Sequence, residues 1–169
     1  MSAPSGDGCL DHLHTLLAYD PGSGEFRWRE KVSSRRPAGS PAGTRTARGY
    51  IRIRINGKTH AAHRLAWLFV YGDWPEQQID HINGDRADNR IANLRDVAPR
   101  VNSQNRKRAN ATNSNGLLGV SRCRERGTFV AQIRDPQGRM KFLGRFDQSE
   151  AAHAAYLKAK AVLHEGNTL

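Results

Sequence analysis

Residues 78–107 read QIDHINGDRADNRIANLRDVAPRVNSQNRK, an Asp80-His81 pair followed by five asparagines, Asn83, Asn89, Asn93, Asn102 and Asn105. These residue types suit hydrolysis of a phosphodiester. That reaction needs a deprotonated water, a cation on the non-bridging and leaving oxygens, and positioning. A histidine supplies the base near neutral pH, because its ordinary pKa is about 6.5. It must be neutral, with one ring nitrogen left to accept a proton while an acceptor such as an amide oxygen holds the proton on the other. A hard divalent cation prefers oxygen ligands and keeps most of its waters, so one carboxylate and one amide oxygen can hold it. On a strand Asp80 and His81 point to opposite faces, and a turn or distortion near Gly84 would bring both to one cleft. Asn93 follows His81 by 12 residues, enough for the chain to return antiparallel beside it. Asn102 and Asn105 stand three apart, on one face of a helix. The structural alternative makes Asn83, Asn89 and Asn93 turn formers and His81 an ordinary strand histidine. Spacing alone leaves both readings open.

The elements around this stretch follow from pattern. LDHLHTLLAYD reads as a short helix, and YDPGSGEFRW as turn chemistry before an aromatic strand. GYIRIRINGKTHAAH alternates with period two around Asn56-Gly57, a strong hairpin signal, and its Arg52 and Arg54 are either a solvated face or phosphate contacts. AAHRLAWLFVYGDWP reads as a helix ended by Gly72 and Pro75, with Leu65, Leu68 and Phe69 inward. QQIDHI is a strand, NGDRADNR a polar loop with solvent-facing Asp85 and Asp88, IANLRDV a strand or turn, and APRVNSQNRKRA a helix with Pro99 in its first turn. LLGVSRCR, TFVAQIRD and RMKFLGRF are three strands, closed by an Ala-rich helix capped by Ser149 and stopped by Gly166. Ala152, Ala155, Ala159 and Leu163 form its narrow apolar stripe.

The fold class is therefore α+β. Its parts are a flexible tail (1–9), a β-rich segment (10–60), a two-strand-and-helix unit (61–109), a linker (110–116) and a three-stranded antiparallel sheet packed on one helix (117–169). The net charge of +11 favours a polyanionic partner. Residues 100–169 hold 13 Lys and Arg against 5 Asp and Glu, which makes that half the better candidate for gripping nucleic acid. Two separated cysteines, Cys9 and Cys123, build neither a disulfide framework nor a four-cysteine zinc site. The polar N-terminus has no signal-peptide character, and LAWLFVYG is too short to span a bilayer. A cytoplasmic protein is expected.

IDHINGDRADNRIANLR…VNSQN, with HRLAWLFVYGDWP upstream, resembles the HNH endonuclease family over about residues 49–106, in the branch whose third motif residue is Asn. That branch includes phage and intron-encoded homing nucleases, so the resemblance implies the cytoplasm of a bacterial host if the chain is phage-encoded. The resemblance implies a ββα unit clasping one divalent metal, magnesium with manganese as substitute, and cleavage leaving 5′-phosphate and 3′-hydroxyl ends. It implies that Asp80 and Asn102 ligate the metal, that His81 is the general base, and that Asn93 orients the base and pins the loop. Asn89, His63, Arg64 and Asn105 stand as site support: Asn89 bonding the loop backbone, His63 in the fold or on phosphate, Arg64 on phosphate or an acid, Asn105 on DNA or a neighbouring loop.

The C-terminal segment has a physical reading of its own. Val130, Gln132 and Arg134 alternate with Phe129, Ala131 and Ile133, and Arg122 and Arg124 share a face. A narrow sheet carrying Arg can enter a major groove, where Arg reads guanine and Gln reads adenine; the alternative is a solvated face. GV, AQIRDP, LGRF, EAAHAAY and HEG resemble the Apetala/ethylene-response-factor DNA-binding domain over about residues 116–166. The resemblance implies DNA contacts near Arg122, Arg124, Arg134 and Lys141. RERGT stands where a tryptophan is usual, as does Phe142. The combined expectation is a modular endonuclease acting on double-stranded DNA, with a dimer allowed but not required. The alternatives are a DNA-binding regulator carrying an idle nuclease scaffold, and an RNA-directed nuclease.

Overall fold

The computed structural model describes residues 7–105, 109, 113, 115–164 and 167, with side chains from residue 10 onward. Most of the tail 1–9, much of the linker 110–116 and the Gly166 helix stop lie outside the described residues. The architecture is mixed α and β, built from small antiparallel sheets and ending in a three-stranded sheet packed on a helix. It divides into two compact units, Met1–Ala98 and Pro99–Leu169.

In the first unit, helix α1 (Asp7–Leu16) leads into a two-stranded pair, β1 (Leu17–Tyr19) with β2 (Phe26–Trp28). A second sheet orders β3 (Thr44–Arg45), β4 (Ile51–Ile55) and β5 (Lys58–Ala61) side by side. The β4–β5 hairpin turns on Asn56 at φ 48° and Gly57 at φ 81°, the two left-handed positions of a type I′ turn. Ile53 and Ile55 point inward while Arg52 and Arg54 stay in solvent. Strand β5 runs directly into α2 (Ala62–Tyr71), whose start no side chain caps. Its end is set by Gly72, left-handed at φ 84°, donating its N–H to the Leu68 carbonyl.

Helix α2 buries Leu65, Ala66 and Leu68 against Leu17, Phe26, Trp28 and Ile53, and the same core takes in Ile79 and Leu94. Full burial of a side chain such as Leu65 or Ile53 stabilises the unit by about 1.5–3 kcal/mol. The expected boundary at residue 61 is thus crossed by one continuous core. Strand β6 (Gln78–His81) pairs antiparallel with β7 (Leu94–Val97), which follows a single 3-10 turn at Ile91–Asn93.

The second unit begins with the short helix α3 (Pro99–Gln104), which the expected unit 61–109 places with the preceding strands. Its sheet orders β10 (Met140–Phe146), β9 (Thr128–Arg134) and β8 (Val120–Cys123). Helix α4 (Ser149–Leu163) buries Ala152, Tyr156 and Lys160, so the inward stripe differs from the expected Ala155, Ala159 and Leu163. Ala155 packs at the margin of that core. Ser149 is inside the helix, not its cap: Gln148 is the N-cap residue and the Ser149 hydroxyl donates to Glu150. Tyr156 lies so close over Gly119 that a Cβ there would sit 1.9 Å from its ring.

Candidate active site

The β6–β7 ladder is regular through His81: Asp80 stands opposite Arg95, and His81 opposite Leu94. The strand runs to His81 without a shift in register, and the Asp80 charge is near enough to act on the His81 ring. Both are buried, Asp80 at 6% and His81 at 4% exposure. The bend expected at Gly84 comes only after the strand, where its N–H meets the His81 carbonyl.

The loop between the strands is held by its own polar side chains. Asn93 accepts the Asn83 N–H at 2.9 Å and donates its amide to the Asp88 carbonyl at 2.8 Å. Asp88 takes the Asn83 amide and the Arg90 guanidinium, and the Arg90 contact holds its carboxyl low, at about 2. Its side chain is only 14% exposed, so Asp88 is a loop anchor and not the solvent-facing turn residue expected. Asp85 is exposed. From outside, Tyr19 donates its hydroxyl to the Asn89 carbonyl at 2.7 Å, and the Pro21 carbonyl accepts the Ile91 N–H. Gly24, at φ 76°, comes so close that a Cβ would lie 2.4 Å from the Arg90 nitrogen. The turn between β1 and β2 thus braces the loop, a role the chain's local pattern could not disclose.

Asn89 is the residue that meets His81. Its Nδ2 donates to the Ala87 carbonyl at 3.1 Å, which turns its Oδ1 toward His81 Nε2, 3.4 Å away. An amide oxygen only accepts, so Nε2 carries the proton and Nδ1 is the basic nitrogen of the ring. Burial lowers the His81 pKa from its ordinary value, and Asn89 with Asp80, Asp88 and Asp85 partly restores it. The ring is neutral at pH 7. Asn89 thus contacts the His81 ring, while the Asn93 side chain bonds the Asn83 N–H and the Asp88 carbonyl of the loop, the pinning expected of it.

His63, on α2, sets its ring edge-on to His81, centroids 5.2 Å apart, with Tyr50 5.5 Å from His63 and 6.0 Å from His81. Among the described residues its buried Nδ1 has no hydrogen-bond partner. Burial, then the neighbouring His81, Arg64 and Arg52, push the His63 pKa down to about 4. Among the described residues Arg64 pairs with no acid; its guanidinium bonds the Gln77 and Pro75 carbonyls and lies over Trp74. Arg86, unnoticed in the sequence, covers Tyr50 at 5.0 Å. Arg95, also unnoticed, pairs with Asp80 at 2.7 Å.

Asn102 and Asn105 belong to the second unit, on α3 and just after it, with Asn105 buried. In that unit the register decides which side chains share a face. Val120, Ala131 and Ile133 turn toward α4, and Arg122 opposite Phe129 and Lys141 opposite Ile133 share their parity. Arg134 lies on the open face with Gln132, Met140, Phe142, Arg145 and Ser121. Arg124 lies beyond the end of β8. The candidate contacts therefore split: Arg122 and Lys141 flank the helix side, and Arg134 the open side.

Residues 60–104 match the family model for HNH endonuclease. The HNH-like segment holds Asp80, His81, Asn89, Asn93 and Asn102, together with His63 and Arg95. It covers well under half of the chain. A solved structure described as "DNA binding and cleavage by the HNH homing endonuclease I-HmuI" is similar at 22% identity and a TM-score of 0.43, over 89% of this chain and 88% of that chain. No curated protein matches the chain. No described helix is long and apolar enough to cross a membrane.

Proposed function

We propose that this chain is a metal-dependent HNH endonuclease that hydrolyses phosphodiester bonds in double-stranded DNA. The observation that carries the reading is the imidazole of His81, buried at a strand end with its Nε2 3.4 Å from the amide oxygen of Asn89, a contact that favours the proton on Nε2. A histidine so held has a basic Nδ1 at neutral pH, the state a water-activating base requires. The match to HNH endonuclease over residues 60–104 supports the same reaction class.

The donor chemistry fits a hard divalent cation. Asp80 is a buried carboxylate, and the charge next to it is a guanidinium, so the pocket around it already accommodates a positive group. Among the described residues no group of three or more His, Cys, Asp and Glu side chains is arranged to hold a metal. The ligands proposed from the HNH resemblance are two oxygen donors, Asp80 and Asn102, and the ion is Mg²⁺ with Mn²⁺ as a substitute. When bound, such an ion would offset the charge that develops on the phosphate and its leaving oxygen. His81 accepts the proton of the attacking water at Nδ1, and Asn89 keeps the ring in that tautomer. Asn93 and Asp88 keep the loop from drifting away from the base. Release of the 3′ oxygen leaves 5′-phosphate and 3′-hydroxyl ends.

The second unit is the proposed DNA grip, with Arg134, Arg145 and Gln132 on its open face and the excess of basic residues beyond residue 100 behind it. One catalytic histidine per chain favours a nick unless two copies act together. A phage or intron origin fits this modular build. The test is supercoiled plasmid incubated with Mg²⁺ or with EDTA, with duplex DNA and structured RNA as competitors. Nicking that needs the metal and yields ligatable 5′-phosphate ends supports the reading. Tight DNA binding with no cleavage under any divalent ion would instead establish a regulator on an idle nuclease scaffold.

A further inference from the structure

Asp80 presents an electrostatic problem that the proposed reaction does not solve by itself. Its side chain is 7% exposed, and a buried carboxylate without a counter-charge strongly destabilises a fold. A nuclease must nevertheless fold and wait before metal and DNA arrive. Arg95 stands directly opposite Asp80 across the β6–β7 pair and sends both Nε, at 3.0 Å, and Nη2, at 2.7 Å, to one oxygen, Oδ2. Its side chain is 25% exposed, so the guanidinium borders solvent while the carboxylate does not.

We propose that Arg95 is the built-in counter-ion of Asp80, neutralising the buried carboxylate in the metal-free protein and displaced from it by the incoming divalent cation. The inference rests on the proposed role of Asp80 as a metal ligand. A guanidinium and a dication on one carboxylate repel each other, and the dication carries twice the charge. Once displaced, Arg95 keeps its charge near the site, on the side open to solvent, where a phosphate group can take it. The Arg95–Asp80 pair and the metal-bound site are thus two competing states of one carboxylate. The neighbouring Arg90–Asp88 pair, with Arg90 52% exposed and Asp88 occupied by loop bonds, is the control that lacks this design.

The experiment uses the full chain stripped with EDTA and no DNA. Mn²⁺ binding is followed by the electron paramagnetic resonance of free Mn²⁺ and by thermal unfolding, in wild type, Arg95→Met, Arg90→Met and Asp80→Asn. Arg95→Met is expected to unfold at lower temperature in EDTA, to gain more from Mn²⁺ than wild type, and to bind Mn²⁺ more tightly by about tenfold or more, the factor lost to a competing counter-ion. If Arg95→Met does not fold in EDTA, Mn²⁺ should restore the fold. Equal or weaker Mn²⁺ binding by Arg95→Met, absence of saturable binding, or the same gain in Arg90→Met overturns the counter-ion. Loss of binding in Asp80→Asn without any gain in Arg95→Met leaves the metal assignment standing and removes only the counter-ion. Wild-type binding retained in Asp80→Asn removes both.

Discussion

Strand β6 buries an aspartate and a histidine at 6% and 4% exposure, whereas strand β10 leaves Met140 and Phe142 in solvent at 53% and 59%. Each is a short antiparallel strand in a small sheet. In the first, polar groups are taken out of water and each is given a partner: Asp80 with Arg95, His81 with Asn89, Asn93 with Asn83 and Asp88. In the second, α4 covers one face and the other carries Arg134, Gln132 and Arg145 beside the exposed apolar side chains. Burying polar groups costs free energy and fixes geometry, which is what a reacting centre requires. An open face of mixed Arg, Gln and aromatic character suits contact with a large polar partner.

That contrast can be broken unit by unit. Gly119→Ala should have the largest effect on stability, since the new Cβ meets Tyr156 at 1.9 Å on a backbone at φ 71°. We expect the second unit to lose about 2–4 kcal/mol. Trp28, Trp67 and Trp74 all belong to the first unit, so circular dichroism should record the loss while tryptophan fluorescence still reports a folded first unit. A tryptophan transition that moves equally would show that the units do not melt separately.

Asn93→Ala removes the partner of the Asn83 N–H and of the Asp88 carbonyl and should cost the first unit about 1–3 kcal/mol. Asn89→Ala should cost less stability but more rate, because it frees the His81 ring to take either tautomer. Equal stability losses with unchanged cleavage by Asn89→Ala would contradict the assignment of Asn89 to the base.

Acid should act on the first unit through His63 and His81. The folded-state pKa of His63, about 4, lies below its unfolded value of 6.5, so protons bind the unfolded chain more readily. Its contribution to stability is complete above pH 6.5 and is lost as pH falls toward 4. His63→Gln should flatten the stability profile across that window in urea titrations at stepped pH. His81 is also shifted down, so the acidic limb of kcat/KM should fall below pH 6.5. A limb centred above pH 7 would mean a charged ring in the resting site.

On the open sheet the effects should be smaller and graded by face. Arg134→Ala is expected to weaken DNA binding and reduce its salt slope by about 1. Arg122→Ala and Lys141→Ala, on the other parity, should do less. The reverse order would place the DNA on the edge near α4.

Much of this contrast is legible in the chain itself, and the illegible parts have a common cause. The Asn56-Gly57 hairpin, the Gly72 helix stop and the three C-terminal strands follow from rules spanning a few residues, and each stands where those rules put it. Asp80, His81 and Asn93 stand out as types at suggestive spacing. What spacing could not reveal is which partner each side chain takes. Asn89 and Asn93 are both asparagines of one loop, and only the Ala87 and Asp88 carbonyls decide which of them faces the histidine. Arg95 becomes visible once the β6–β7 register sets it against Asp80. Tyr19 and Gly24 brace a loop about 70 residues away, through contacts no local pattern encodes. Arg122 and Arg134 separate because the register with β9, and not their shared charge, assigns faces.

The most direct test of the account is cleavage rate and DNA affinity measured side by side for His81→Ala on one supercoiled plasmid with saturating Mg²⁺. The account predicts a rate lower by about 10²- to 10⁴-fold with affinity within a few-fold of wild type. A variant that still nicks at the wild-type rate, or one that loses binding and cleavage together, would contradict it.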